Sequence, residues 1–251
     1  MRAGIAAIRS DTSKMLEDIL EKRDILNARK PFPRDVSVVL DKLNMFDFLY
    51  NDLKLDGSNL TEEGVGRILE GGMAPGASIR EHNELPLHIA AFKLFDEMRH
   101  MYLTMDRQRM GELYCALCGG QRQEFRRKTP ILYHLDFTPP YYTEIPALLD
   151  ELFRLSYRGP YDGDFIRRAA DMHNGIIAIY PYEERSEALA RSVFQYELIR
   201  GGLFPVRFGV SEQDYNMLVT QAVKDGFGEP FYRMSLRAVE KKMDKALSLF
   251  Q

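Results

Sequence analysis

The chain has 251 residues, 45% apolar and 28% charged, with 34 basic against 37 acidic side chains and a formal net charge of −3. That length can bury one sizeable core or two small ones, and the interspersed charge excludes disorder and any whole-chain field that would attract nucleic acid or an anionic membrane. There is no run of about 18 apolar residues such as a spanning helix needs, so the simplest reading is a cytosolic protein without membrane or nucleic-acid partners.

The first helix is predicted over residues 12–29, where Leu16, Ile19, Leu20, Ile25 and Leu26 form one stripe that stops at the prolines of KPFPRD. A second runs from about Val36 to Leu53, carrying Val39, Leu40, Leu43, Phe46, Phe48 and Leu49. A turn at Asp56-Gly57-Ser58 follows, then Thr61 as a cap and a short helix ended by Gly71-Gly72. Helical patterns resume from His82 to about Thr104 and from Asp106 to Leu117. Cys115 and Cys118 make a lone CxxC. With no matching pair among five histidines, they read as small apolar residues one turn apart rather than as zinc ligands.

Residues 131–137, ILYHLDF, alternate with high strand propensity between Pro130 and Pro139-Pro140, and predict a short exposed strand or hairpin. Further helices are predicted from Tyr142 to Leu155 and from Asp162 to about Ile177, with a strand-like run at Ile176 to Ile179. Then come Pro181, a cluster of charges, a helix from Arg185 to Arg200 closed by Gly201-Gly202, and helices from Glu212 to Asp225 and Gly228 to Leu249. The whole predicts an all-α helical bundle with one small β element.

The run-up to the Arg185–Arg200 helix has the outline of an anion site, because the first N–H groups of a helix are unpaired and its dipole favours negative charge. Such turns are usually glycine-rich, whereas this one reads Glu183-Glu184-Arg185-Ser186-Glu187. Taken in order, LDGSNLTEEGVGRILEGG, EFRRKTPILYHLDFTPPYYTEIP, AADMHNGIIAIYPY and LIRGGLFPVRF resemble the Fic (Fido-fold) family, enzymes that transfer AMP from ATP to protein hydroxyls. The resemblance spans nearly the whole chain. It implies an N-terminal helical segment with an inhibitory-type turn at 1–58, a Fic-like core at 59–206 with a flap at about 122–141, and C-terminal helices at 207–251, all in one unit.

The family motif HPFx(D/E)GNGRxxR falls on residues 180–191, YPYEERSEALAR. By this resemblance the general-base histidine is Tyr180, a poor base at its ordinary pKa near 10. Glu184 matches the acid that holds magnesium, although an acid in a first helical turn is also an ordinary dipole partner. Arg185, Ser186 and Glu187 replace the glycine-asparagine-glycine phosphate turn, Ala188 replaces the first arginine, and Arg191 keeps the second. Relatives with an inhibitory helix carry (S/T)xxxE(G/N), matched here by Asp52, Asp56 and Gly57. Asp56 is placed to pair with Arg191 or simply to make the turn. His173 is expected to serve the core or a helix cap rather than catalysis.

The resemblance also implies a flap whose edge takes up a protein segment by strand addition, here led by Arg126, Arg127 and Lys128 and continued by Ile131, Leu132 and Tyr133. A basic edge that prevents aggregation fits the same charges. The function expected is a Fic-family protein with a degenerate AMP-transferase (AMPylation) site, acting as a binding or regulatory protein through the flap or as a homo-oligomer. The alternative is a divergent transferase that moves AMP or another phosphate-containing group from an ATP-like donor, with magnesium, to a protein hydroxyl.

Overall fold

The computed structural model describes residues 2–120, 124–159, 161 and 163–250; the start of the expected flap at 122–123, the helix start expected at Asp162 and the two chain ends lie outside them. Among the described residues the chain is all-α. Its helices are α1 Arg2–Ala28, α2 Arg34–Leu55, α3 Glu62–Leu69, α4 Ile79–His100, α5 Arg107–Leu117, α6 Ile145–Arg158, α7 Phe165–Ile179, α8 Ser186–Arg200, α9 Glu212–Lys224 and α10 Glu229–Ser248. Among the described residues no helix is long and apolar enough to cross a membrane.

Starts follow local chemistry. The side chains of Thr61, Asp106, Asp164 and Ser211 accept from N–H groups in the first turns of α3, α5, α7 and α9. Ser78 and Glu81 form a reciprocal capping box, so α4 begins at Ile79, ahead of the predicted His82. The centre is the α7–α8 pair, the most extensively packed helix pair, with α5, α6, α9 and α10 around it and α1 against α10. Ile176, Ile177, Leu189, Val193 and Phe194 are fully buried there. The strand-like run from Ile176 to Ile179 is therefore the last turn of α7: its β-branched residues lose little by being helical when burial on α8 rewards them more than propensity penalises them. Close approach matters too, since a Cβ on Gly175 would stand 2.5 Å from Leu152 Cδ1. His173 lies within this core, its Nε2 2.7 Å from the Tyr215 hydroxyl and its ring stacked on Phe231.

The predicted hairpin is reduced to one antiparallel bridge between Leu132 and Phe137, closed by a 3-10 turn over Tyr133–Leu135 and a left-handed Asp136 at φ 44°. Two causes are visible. Leu132 and Leu135, three apart, are the buried pair, which is a turn's spacing rather than a strand's; and Pro130, Pro139 and Pro140 offer no N–H to extend a ladder.

Candidate functional site

The site is built where α7 ends and α8 begins. Tyr180 closes α7 in the left-handed conformation at φ 48°, which turns the chain sharply into Pro181 and Tyr182. Tyr182 is stacked face to face on Tyr114 of α5 at 3.5 Å, and the Tyr114 hydroxyl donates to the Glu184 carbonyl at 3.2 Å. Ser186 closes the turn on itself: its hydroxyl accepts from Tyr182 N and donates to Tyr182 O, each at 2.9 Å. This serine thus holds backbone and does not present its hydroxyl to the cleft. Arg185, at the family's first glycine, keeps a glycine-like φ of 57° despite its side chain, and that side chain is tied to Glu84 of α4 at 3.1 Å. Arg185 thus holds a left-handed backbone conformation that a glycine adopts at lower cost.

At the other glycine position, Glu187 accepts from His134 Nε2 at 2.8 Å and from the Tyr180 hydroxyl at 3.4 Å. Burial pushes the Glu187 carboxyl up, but His134 and the Arg191 charge outweigh it, so the group is held below its ordinary value and is ionised at neutral pH. His134 is raised by its bond to Glu187. The Tyr180 phenol is driven far above its ordinary value by burial and then by Glu187, so it is a proton donor to Glu187 and has no basicity at neutral pH. Glu184 is exposed beside the turn.

Arg191, one turn further along α8 and 1% exposed, donates through Nε to Asp52 and through Nη2 to Asp56 at 2.5 Å. The expected Asp56–Arg191 contact is present, and Asp52, four residues earlier on the same face of α2, is the more buried partner. Burial opposes ionisation of Asp52, yet Arg191 and His88 beside it hold its carboxyl well below the usual range. Asp56 moves the other way: burial raises it, Arg191 offsets this only in part, and the Asp52 charge adds to the rise. His88 of α4 brings Nδ1 to 2.8 Å from Asp52 Oδ2, but neither atom is aligned for a hydrogen bond. His88, His134 and Glu84 were not legible as site residues. The spacing of Asp52 and Asp56 was a usable signal, whereas the histidines carry no local pattern.

The basic edge assigned to the flap needs correction at Arg126. This side chain is 2% exposed and donates to four carbonyls: Tyr180 at 2.7 Å, Ile179 at 3.2 Å, Lys128 at 2.9 Å and Pro140 at 2.6 Å. Two of these end α7, where unpaired carbonyls and the helix dipole favour a cation, so Arg126 is a buried cap and not a surface contact. Leu132 is likewise buried, whereas Arg127, Lys128, Ile131 and Tyr133 are exposed.

A cavity of about 560 Å³ opens over the turn, lined by Asp56, Glu84, Glu184, Glu187, Arg80, Arg185, His134 and Glu212 among others. A triphosphate with magnesium fits this donor set poorly. The ionised Glu187 stands at the phosphate turn, Arg185 is engaged by Glu84, Ala188 has no guanidinium, and Arg191 is held by two aspartates. At an effective dielectric near 20, a phosphate charge about 4 Å from Glu187 meets roughly 4 kcal/mol of repulsion.

No family model matches the chain. It is 25% identical over 244 residues to the protein adenylyltransferase fic-1 of Caenorhabditis elegans, covering 92% of this chain and 46% of that protein. It is 26% identical over 251 residues to the protein adenylyltransferase Fic of Nematostella vectensis, covering 94% of this chain and 56% of that one. The chain thus spans about half the length of these relatives. Among solved structures, a fragment of Fic-1 from C. elegans superposes with a TM-score of 0.81 at 20% identity, covering 98% of this chain and 74% of that one. A Fic domain containing signaling protein from Bacteroides thetaiotaomicron gives 0.78 at 17% identity, covering 94% and 97%. In its helical architecture the chain has the Fic (Fido) fold, and in sequence it is similar to Fic protein adenylyltransferases.

Proposed function

We propose that the AMP-transfer site of this Fic-fold protein is catalytically impaired and that the chain acts as a binding or regulatory protein. The observation that carries this reading is Glu187: at one point it removes the glycine of the phosphate turn, places a fixed negative charge there, and accepts the hydroxyl hydrogen bond of the residue standing where the base should be, which keeps that phenol protonated. Loss of a general base costs ~10²–10⁴ in rate and loss of an oxyanion-type donor ~10²–10³, which together leave ordinary AMP transfer very slow. The partner in this reading is a protein segment bound along the exposed flap edge, where Ile131 and Tyr133 are 62% and 84% exposed.

His134 supports a second reading. It is a histidine that faces the same cavity, supplied by the flap instead of the motif, and would serve a divergent transferase using a different phosphate-containing donor. Two measurements separate the readings. Thermal melting with millimolar ATP and magnesium should show no stabilisation under the first reading, since only a ligand that prefers the native state raises the midpoint. Incubation with α-labelled ATP and cell lysate should leave proteins unlabelled; clear labelling that disappears in Glu184→Ala would refute impairment.

A further inference from the structure

Asp52 on α2, Asp56 at the C-terminal cap of α2 and His88 on α4 place three ligand atoms within 4.8 Å of one another. Asp52 and His88 are almost fully buried, with side chains 2% and 1% exposed. Asp52 Oδ2 and His88 Nδ1 lie 2.8 Å apart with neither in a hydrogen bond, and Arg191 Nη1 is also buried without a partner among the described residues. Buried polar atoms are rarely left so. Two donors 2.8 Å apart subtend roughly a right angle at an ion about 2.1 Å from each, the angle of octahedral rather than tetrahedral coordination, which favours Mn²⁺ over Zn²⁺. Charge points the same way: two carboxyl groups match a divalent cation, whereas the one guanidinium carries a single positive charge.

We propose that Asp52, Asp56 and His88 form a divalent transition-metal site for which the Arg191 guanidinium is the resident competitor. One imidazole with two carboxylates suits Mn²⁺ or Zn²⁺ better than Mg²⁺ or Ca²⁺, which take oxygen ligands. Asp56 borders the 560 Å³ cavity, and so does Ala188, one turn before Arg191 on α8. A guanidinium displaced by the ion has that space to enter, and would bring a free cation into a cleft where every other arginine is engaged or peripheral. Metal and guanidinium therefore exclude each other in the cluster, and by reciprocity an anion that draws Arg191 into the cleft favours the metal.

The test is titration of the intact chain with Mn²⁺, followed by loss of the free-ion electron-spin-resonance signal; Mn²⁺ also avoids the thiols of Cys115 and Cys118. One ion per chain is expected. His88→Gln and Asp56→Asn should each weaken uptake by about tenfold or more. Arg191→Gln, which removes the competitor, should tighten uptake by a similar factor and show a larger Mn²⁺-induced rise in melting temperature than the unaltered chain. Should Arg191→Gln not fold, the other two variants decide. Absence of uptake at millimolar Mn²⁺, uptake indifferent to both His88→Gln and Asp56→Asn, weaker uptake in folded Arg191→Gln, or uptake lost in Glu184→Gln would overturn the proposal; the last would place the ion in the cleft.

Discussion

Removing one carboxylate at a time from Arg191 tests whether burial or mere proximity sets the strength of its two ion pairs. Asp52 is 2% exposed and Asp56 33%, yet both bond the same guanidinium. Breaking a buried pair costs about 3–5 kcal/mol because a charge is left uncompensated, and with Asp56 still in place Asp52→Asn should fall near the lower end, at about 3 kcal/mol. Asp56→Asn removes a partner that water can replace in part, and should cost about 1 kcal/mol or less. The double variant strands Arg191 entirely and should exceed the sum of the two, at about 5 kcal/mol or more.

Urea unfolding followed by circular dichroism at pH 7 measures these values, provided the m-value is unchanged. The sign with pH is also defined. Because Asp52 is depressed in the folded state, its contribution is present above the unfolded carboxylate value of about 4 and is lost as pH falls below it. The gap between Asp52→Asn and the unaltered chain should therefore shrink from pH 7 to pH 3. Equal costs for the two single variants, or strict additivity in the double, would refute the reasoning.

Other consequences can be measured in the same way. Burial lowers His173 to about 3, so below pH 6.5 the unfolded chain takes up a proton that the folded one does not. Stability should then fall by about 1.4 kcal/mol per pH unit from this group alone, and the slope between pH 6.5 and 4 should flatten by that amount in His173→Gln. A Cβ on Gly201 would stand 2.5 Å from Phe165 Cγ and 2.6 Å from its Cβ, whereas on Gly175 it meets the flexible end of Leu152. Gly201→Ala should thus cost about 2–3 kcal/mol and Gly175→Ala about 1 kcal/mol in chemical denaturation. Arg126→Leu leaves four carbonyls without their donor and should cost about 3 kcal/mol or more, while Arg127→Ala, whose side chain is exposed and bonded to Glu124, should stay within about 0.5 kcal/mol by thermal melting.

Much of the helical framework was legible because its signals are local. Thr61, Asp106 and Ser211 stand before their helices as caps, and the prolines and glycines that end helices lie next to the turns they make. ILYHLDF misled because its alternation is genuine but its burial is not alternate: Leu132 and Leu135 go inward and the prolines end pairing. Arg126 misled for a related reason. A guanidinium beside Arg127 and Lys128 looks like surface charge until α7 brings two carbonyls to meet it.

The site divides along the same line. The amino-acid order, through its resemblance to the family motif, determined which motif positions were retained or replaced, from Tyr180 through Glu184 to Arg191, and that Asp56 was placed to pair with Arg191 or to make the turn. Only the tertiary structure decided that Glu187 would meet a histidine from the flap, that Tyr180 would be held as a proton donor, and that His88 would stand beside Asp52. The physical reason is range. Caps, breakers and periodicity act over a turn or two of chain, whereas the charge state of a buried group depends on whichever distant side chains packing brings within a few ångströms of it.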